Sequence, residues 1–352
     1  MRKKDFFENN KTSNKLLQEQ EQEQEQEQEI ENELNDIPGY ATFTKIQLLN
    51  KGWSADEKFY IETAYGKRLL LRMSGIKRYE RKKGEFDTLK RTEILGLPLP
   101  APVGFGICSK GKSVYQILTW VDGEDLREVL PKSSETEQYV LGLKAGDLLR
   151  KLHTLPAPDS SEAWDTWFWR EEVSGKIDFY NNSAMQCNKG DILVKYLQVK
   201  RHLLIDRPRT FNHGDVGTSN MILMPDGEIG MIDFSCADDD HGDPLWELES
   251  IASWGEEPSA HFYTGFLNGY VGGEPSMAFF EVLSYYFAYS GFAAFCDGSI
   301  GQQGKAEDGQ RHMDNILRWF ENMNNPVPSW YLRGFDIRQG VCENKYVEED
   351  NK

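Results

Sequence analysis

The sequence predicts an α+β fold of two lobes, a small antiparallel sheet with one helix followed by a larger, mainly helical lobe. Three observations predict it. Up to residue 121 the apolar residues fall into short runs broken by turn residues, with one helical stretch among them. At Asp122-Gly123 the character changes, and from Glu135 to Leu155 apolar side chains (Leu141, Ala145, Leu148, Leu149, Leu152) recur at helical spacing. From Pro244 onward the pattern is mostly helical, with aromatic-rich faces.

Residues 18 to 33 repeat Gln-Glu with almost no apolar side chain, so nothing there offsets the entropy of ordering. Residues 1–37 are therefore expected to form an acidic tail outside the fold. Strands are expected at Phe43 to Asn50, Lys58 to Ala64 and Lys67 to Met73, the last two joined by the turn Tyr65-Gly66. A helix over Tyr79 to Leu95 ends at Gly96 and the series Pro98, Pro100, Pro102. Two more strands, Val103 to Cys108 and Ser113 to Trp120, complete an N-terminal lobe spanning 38–121. The C-terminal lobe spans 122–340, and 341–352 is a short tail. Within the second lobe, Asp159 to Arg209 is rich in Trp, Tyr and Phe, and forms either an insert packed on the helices or part of a ligand pocket.

Composition narrows the class. At 352 residues the chain can hold two lobes, each with its own core. The net charge is −17; the first 36 residues, with 5 basic and 11 acidic side chains, contribute −6 and leave −11 for the rest. That balance argues against nucleic acid or an anionic membrane as partner and favours cationic small molecules. The 5 cysteines are widely spaced with no metal-ligand pattern, as expected of a reduced, cytosolic chain. Asp5 to Asn10 follow the basic start where a signal peptide would be apolar. The run Met277 to Cys296 carries Glu281, several Tyr and Ser, and a Gly, and is expected to be a buried helix rather than a membrane span.

The chemistry is carried by Phe211-Asn-His-Gly-Asp-Val-Gly-Thr-Ser-Asn220 and by Ile232-Asp233-Phe234. Phosphoryl transfer needs a carboxylate to orient and deprotonate the attacking hydroxyl, and oxygen ligands for Mg2+. Asp215 fits the first demand, and Asn220 with Asp233 fits the second. At average residue frequencies His-Gly-Asp-x4-Asn arises by chance in about one chain of this length in 10^3. A turn capped by Asp215 would leave Asn220 and Asp233 unexplained. Asp243, in Gly242-Asp243-Pro244, is expected to cap the helix that follows. Asp238, Asp239 and Asp240, with Glu247 beyond them, are expected to line an anionic pocket for an acceptor carrying ammonium groups.

His213-Gly-Asp-x4-Asn220, Ile232-Asp233-Phe234 and Gly242-Asp243-Pro244 together resemble the aminoglycoside phosphotransferase branch of the protein-kinase-like superfamily, over most of residues 40 to 330. The segment from Asp233 to Gly242 is about two residues longer than the usual pattern, and Glu247 stands where an Asp is common. The resemblance implies a bilobal protein-kinase-like fold and Mg2+-dependent transfer from ATP or GTP to an alcohol. It places phosphates over the tip Lys51 to Ala55, with the Ser54 hydroxyl facing them. It makes Arg72 the cation of the third strand, with Glu85 its carboxylate partner and Glu80 the reserve. Backbone groups of Thr119 and Val121 are where it puts the base. The expected enzyme is a monomer acting on an aminoglycoside or similar cationic antibiotic. The alternatives are a kinase of a metabolite such as choline, homoserine or a sugar, against the first of which Gly214 speaks, and a pseudokinase binding module, against which the intact Asp215, Asn220 and Asp233 speak.

Overall fold

The computed structural model describes residues 33–49, 56–157, 162–234, 241–252, 259–300, 305–336 and 341–342. The chain divides into two units: one runs to Lys90 and takes in Pro100–Trp120, the other comprises Arg91–Leu99 and the chain from Val121 onward.

The first unit is built on a five-stranded antiparallel sheet, β1 (Phe43–Leu48), β2 (Glu57–Thr63), β3 (Arg68–Gly75), β4 (Pro102–Cys108) and β5 (Ser113–Thr119), in the order β1-β2-β3-β5-β4. Period-two alternation decides its two faces. Leu69, Leu71 and Met73 of β3 join Phe59, Ile61 and Ile117 in the apolar core, while Arg72, Ser74 and Gln116 take the other face. Helix α1 (Tyr79–Thr92) follows β3 and continues as a 3-10 turn to Leu95, closed by Gly96 in the left-handed region at φ 59°. Gln116 Nε2 donates to the Lys82 carbonyl (2.7 Å), tying α1 to the polar face.

The sheet core also contains Leu34 and Ile37, 0 % and 2 % exposed. Ser109 Oγ donates to Glu33 O (3.1 Å), and the Asp36 carboxylate accepts from the backbone of Ser109 (3.1 Å) and Lys110 (2.9 Å). This corrects the expected tail: residues 33–37 belong to the fold. Two apolar side chains three apart share a face, enough to anchor a turn that its polar neighbours conceal.

In the second unit β6 (Glu124–Asp125) leads into the short helix α2 (Leu126–Val129), capped by Asp125. Helix α3 (Glu135–Leu152) opens on a reciprocal capping box between Ser134 and Glu137. The aromatic-rich region forms α4 (Trp164–Phe168), a π-turn (Trp169–Ser174), α5 (Gly175–Asn181) and α6 (Asn188–Lys200). It packs on the helices of its own unit: Trp164 stacks on Trp167, and Phe168 meets Trp246, Tyr286 and Tyr289 edge-on. Then come β7 (Thr210–Phe211), β8 (Met221–Leu223), β9 (Ile229–Met231) and β10 (His241–Gly242). β6, β8 and β9 form one small sheet, and β7 pairs with β10. Helix α7 (Pro244–Glu247) runs into a 3-10 turn to Ala252, followed by α8 (Ala260–Val271), α9 (Met277–Ile300) and α10 (Lys305–Trp319). As expected, α9 is a core helix, with Phe280, Leu283, Tyr286, Phe287 and Phe292 buried. No helix among the described residues is long and apolar enough to cross a membrane.

Candidate active site

The loop between β7 and β8 carries His213, Gly214, Asp215 and Asn220. Gly214 takes φ 83°, a left-handed turn that glycine adopts at no steric cost. Its bend leaves the Asp215 side chain exposed, while a 3-10 turn at Thr218–Asn220 returns the chain to β8. Asn220 Nδ2 donates to both the carbonyl (2.9 Å) and the carboxylate Oδ2 (2.8 Å) of Asp215. One carboxylate oxygen is thus fixed by an amide, and Oδ1 is left for an incoming hydroxyl.

His213 is a tether. Its Nδ1 accepts from the Asp215 backbone N–H (3.3 Å), so the proton sits on Nε2, which donates to Ile232 O (3.0 Å). Burial pushes its pKa down, which keeps it neutral in this tautomer. The Ile232 N–H in turn donates to Asn220 O (2.9 Å), so Asn220 and Asp233 lie at the neighbouring ends of β8 and β9. Asp233 has φ 59°, a left-handed conformation that Asp tolerates better than most residues.

A hard cation such as Mg2+ takes oxygen ligands and keeps several from water and phosphate. Asn220 donates both its hydrogen bonds through Nδ2, which leaves its Oδ1 for a cation, and Asp233 supplies a carboxylate. This pair fits Mg2+. No group of three or more His, Cys, Asp and Glu side chains arranged to hold a metal occurs among the described residues.

Glu247 corrects the sequence reading. It was expected to face an acceptor, yet it is buried, and its carboxylate accepts from the backbone N–H groups of His213 (3.0 Å) and Gly214 and from His153 Nε2 (2.7 Å). The Tyr270 hydroxyl meets His153 Nδ1 at 2.7 Å, fixing that ring from its other side. Burial alone would raise the Glu247 carboxyl; the hydrogen bond and charge of His153 and the Gly214 N–H outweigh it and hold the carboxyl below its ordinary value. Ser250 Oγ, one turn on, reaches Val216 O at 2.8 Å. The loop that carries Asp215 is therefore hung from α7 and the turn after it. Asp243 caps α7 through Leu245 N–H (2.9 Å) as expected, and it also receives Arg207 and the Tyr286 hydroxyl (2.7 Å). His153, Tyr270, Arg207 and Tyr286 had no signal in the sequence, because each acts through contacts distant along the chain.

In the first unit Arg72 projects from the polar face of β3, but the carboxylate it meets is Asp56, with Nη2 at 3.0 Å and Nε at 3.2 Å from Oδ2. Glu85 instead accepts from Lys82 (2.7 Å) and Arg81 (3.3 Å). The expected direct pair is replaced because Lys82, one turn before Glu85 on α1, reaches it first. The Thr119 N–H is used in the sheet, donating to Ala101 O (2.9 Å), so of its backbone groups Thr119 can offer a ligand its carbonyl. Val121 packs its side chain against Gly230 of β9. Ser54, Asp238, Asp239 and Asp240 lie outside the described residues.

Comparison with known proteins agrees with this geometry. A profile of the phosphotransferase enzyme family (APH) matches residues 45–280. A search of curated proteins returned no match. Among solved structures, a choline/ethanolamine kinase family protein from Mesorhizobium loti is similar at 15% identity and TM-score 0.60, covering 83% of this chain and 95% of its own. A thermostable mutant of aminoglycoside phosphotransferase APH(4)-Ia, solved with ADP and hygromycin B, is similar at 17% identity and TM-score 0.58, covering 82% and 98%. Amicoumacin kinase hAmiN, solved with AMP-PNP, Ca2+ and Ami, follows at 16% identity and TM-score 0.52, covering 84% and 92%. At these identities the likeness establishes a kinase-like α+β fold. By the family profile, which spans both the Arg72 strand and the Asp215 loop, the chain belongs to the phosphotransferase enzyme family.

Proposed function

We propose that the chain transfers the γ-phosphate of ATP or GTP to a hydroxyl of an aminoglycoside or a similar cationic antibiotic, acting as a monomeric, cytosolic enzyme. The observation that carries this reading is Asp215: an exposed carboxylate on a loop whose backbone is hung from buried Glu247, with one oxygen pinned by Asn220. Asp215 Oδ1 accepts the proton of the acceptor hydroxyl as its oxygen attacks phosphorus. The Asn220 bond holds the carboxylate in one rotamer so that little reorganisation is left for the transition state. Asn220 Oδ1 and Asp233 would hold Mg2+, which when bound neutralises charge on the phosphate oxygens. Ser54 and Arg72 serve the phosphates, and the Thr119 carbonyl with the Val121 backbone serves the base. The net charge of −17 and the run Asp238 to Asp240 favour an acceptor bearing ammonium groups.

The test is a coupled screen for nucleoside-diphosphate release over antibiotics and metabolite alcohols, with Asp215→Asn as the blank. The expected result is turnover with a cationic antibiotic, reduced at least about 10^2-fold in the blank. Equal turnover in the blank overturns the mechanism; turnover confined to choline, homoserine or a sugar moves the acceptor and leaves the chemistry in place.

A further inference from the structure

On the polar face of the first unit's sheet, Asp56 gathers more charge than any other described carboxylate there. Its side chain is 1 % exposed. Oδ2 accepts from Lys82 Nζ at 2.7 Å as well as from the Arg72 guanidinium, and Oδ1 accepts from Ser74 Oγ at 2.5 Å and from Arg78 at 3.4 Å. Lys82, itself 7 % exposed at the side chain, passes on to Glu85 at 2.7 Å. The charges therefore run Glu85, Lys82, Asp56, Arg72 in unbroken alternation. Two features show that this order is built. Arg72 and Ser74 share a face of β3 by alternation, and both turn to the same carboxylate. Gln116, opposite Arg72 on β5, holds the Lys82 carbonyl and so fixes the turn of α1 that delivers the lysine.

A buried ion cluster is a poor source of stability, since desolvation consumes most of the Coulombic gain. Keeping two cations side by side on one carboxylate is useful where a polyanion is to be bound. We propose that Asp56 is the positioning residue of the nucleotide site: it sets Arg72 and Lys82 side by side as a paired cation for the phosphate chain, with Glu85 joined to the cluster through Lys82. This assignment rests on the phosphotransferase reading above and adds Asp56 and Lys82 to it.

The test is direct titration of the full chain with ADP and Mg2+, alongside steady-state kinetics, for Asp56→Asn, Asp56→Glu and Lys82→Met. Asp56→Asn is expected to raise the nucleotide Kd and KM about tenfold and leave the acceptor KM within about twofold, the split that a positioning role in one subsite produces. Asp56→Glu recovers part of the loss. Lys82→Met weakens nucleotide binding as well, and adding it to Asp56→Asn costs less than the two single effects combined, because both act through one cluster. A folded Asp56→Asn protein with unchanged nucleotide Kd overturns the proposal. Should that variant lack the stability to be assayed, the pair Asp56→Asn/Lys82→Met removes both charges together and is read instead: weakened binding supports the proposal and unchanged binding overturns it. Wild-type protein that binds no nucleotide sinks the proposed function itself, whereas wild-type binding matched by Asp56→Asn sinks only this inference.

Discussion

Two kinds of carboxylate meet at the loop between β7 and β8, and their surroundings set them apart. Asp215 is exposed and held by one amide; Glu247 is buried and accepts from two backbone N–H groups and an imidazole. Replacing Glu247 by Gln leaves an acceptor at only one of its two oxygens and removes the charge that faces His153. Breaking one side of a buried charge-assisted set costs about 3–5 kcal/mol, so Glu247→Gln should lower the melting temperature and, by loosening the His213–Asp215 backbone, lower kcat. The pH dependence has a definite sign. The folded carboxyl lies below its ordinary value of 4.5, so its stabilisation is complete above about pH 4.5 and is lost as pH falls through the folded value. Melting curves of the two proteins should therefore lie far apart at pH 7 and converge on acidification below 4.5; a constant gap would show that the charge is not what holds the loop. At this scale the sequence disclosed that Asp215 and Asn220 belong together, because they sit five residues apart and the fold joins them directly. It misplaced Glu247 and Glu85, whose partners His153 and Lys82 are chosen by three-dimensional packing, and nothing in a charge pattern distinguishes a buried anchor from a solvated face.

Strands and helices were more legible than the contacts between them. Hydrophobic period gave β1 to β5, α1, α3 and α9 close to their observed bounds, since one buried face imposes its repeat on the sequence. The crossing of α3 and α8 depends on something that period does not record. Gly142 and Gly146 on α3 meet Gly265 and Gly269 on α8, and a methyl group at Gly142 or Gly146 would overlap the carbonyl oxygen of Phe262 or Phe266, and at Gly265 or Gly269 that of Tyr139 or Leu143. A spacing of four residues from glycine to glycine on each helix gives a smooth stripe on which the two backbones touch. Gly146→Ala should force the helices apart and cost at least the 1–3 kcal/mol typical of overpacking, against a propensity gain of about 1 kcal/mol. Gly84, exposed on α1 with nothing within 4 Å of a would-be Cβ, is the control: Gly84→Ala should stabilise by roughly 0.5–1 kcal/mol. Urea denaturation of both variants decides the matter, and an equal gain from both would remove the close crossing as a determinant of the fold.

At the scale of the whole molecule, charge and apolar anchoring are separated along the chain. The first 36 residues carry −6 of the net −17, and the Gln-Glu repeat over residues 18–33 alone carries −8. Composition gave the repeat as unable to form a core, and it drew the boundary a few residues too late because Leu34 and Ile37 are isolated among Asn, Asp and Glu and only the folded sheet reveals what they fill. A pair of truncations follows from this. Removal of residues 1–32 takes away most of the Gln-Glu repeat and leaves Leu34 and Ile37 in place, and should leave the melting temperature and nucleotide affinity within error of the full chain. Removal of residues 1–37 also strips Leu34 and Ile37 from the core, together with the Asp36 carboxylate that accepts from Ser109 and Lys110. Large buried aliphatic side chains are worth about 2–5 kcal/mol each when truncated in place, so the longer deletion should lose much of a domain stability that typically totals only about 5–15 kcal/mol. The loss would begin in the unit that holds Asp56, Arg72 and Lys82, and nucleotide binding should fall with it. Differential scanning calorimetry of the two truncations, with and without ADP and Mg2+, measures both effects; equal stability of the two would mean that the segment 33–37 rests on the sheet without supporting it.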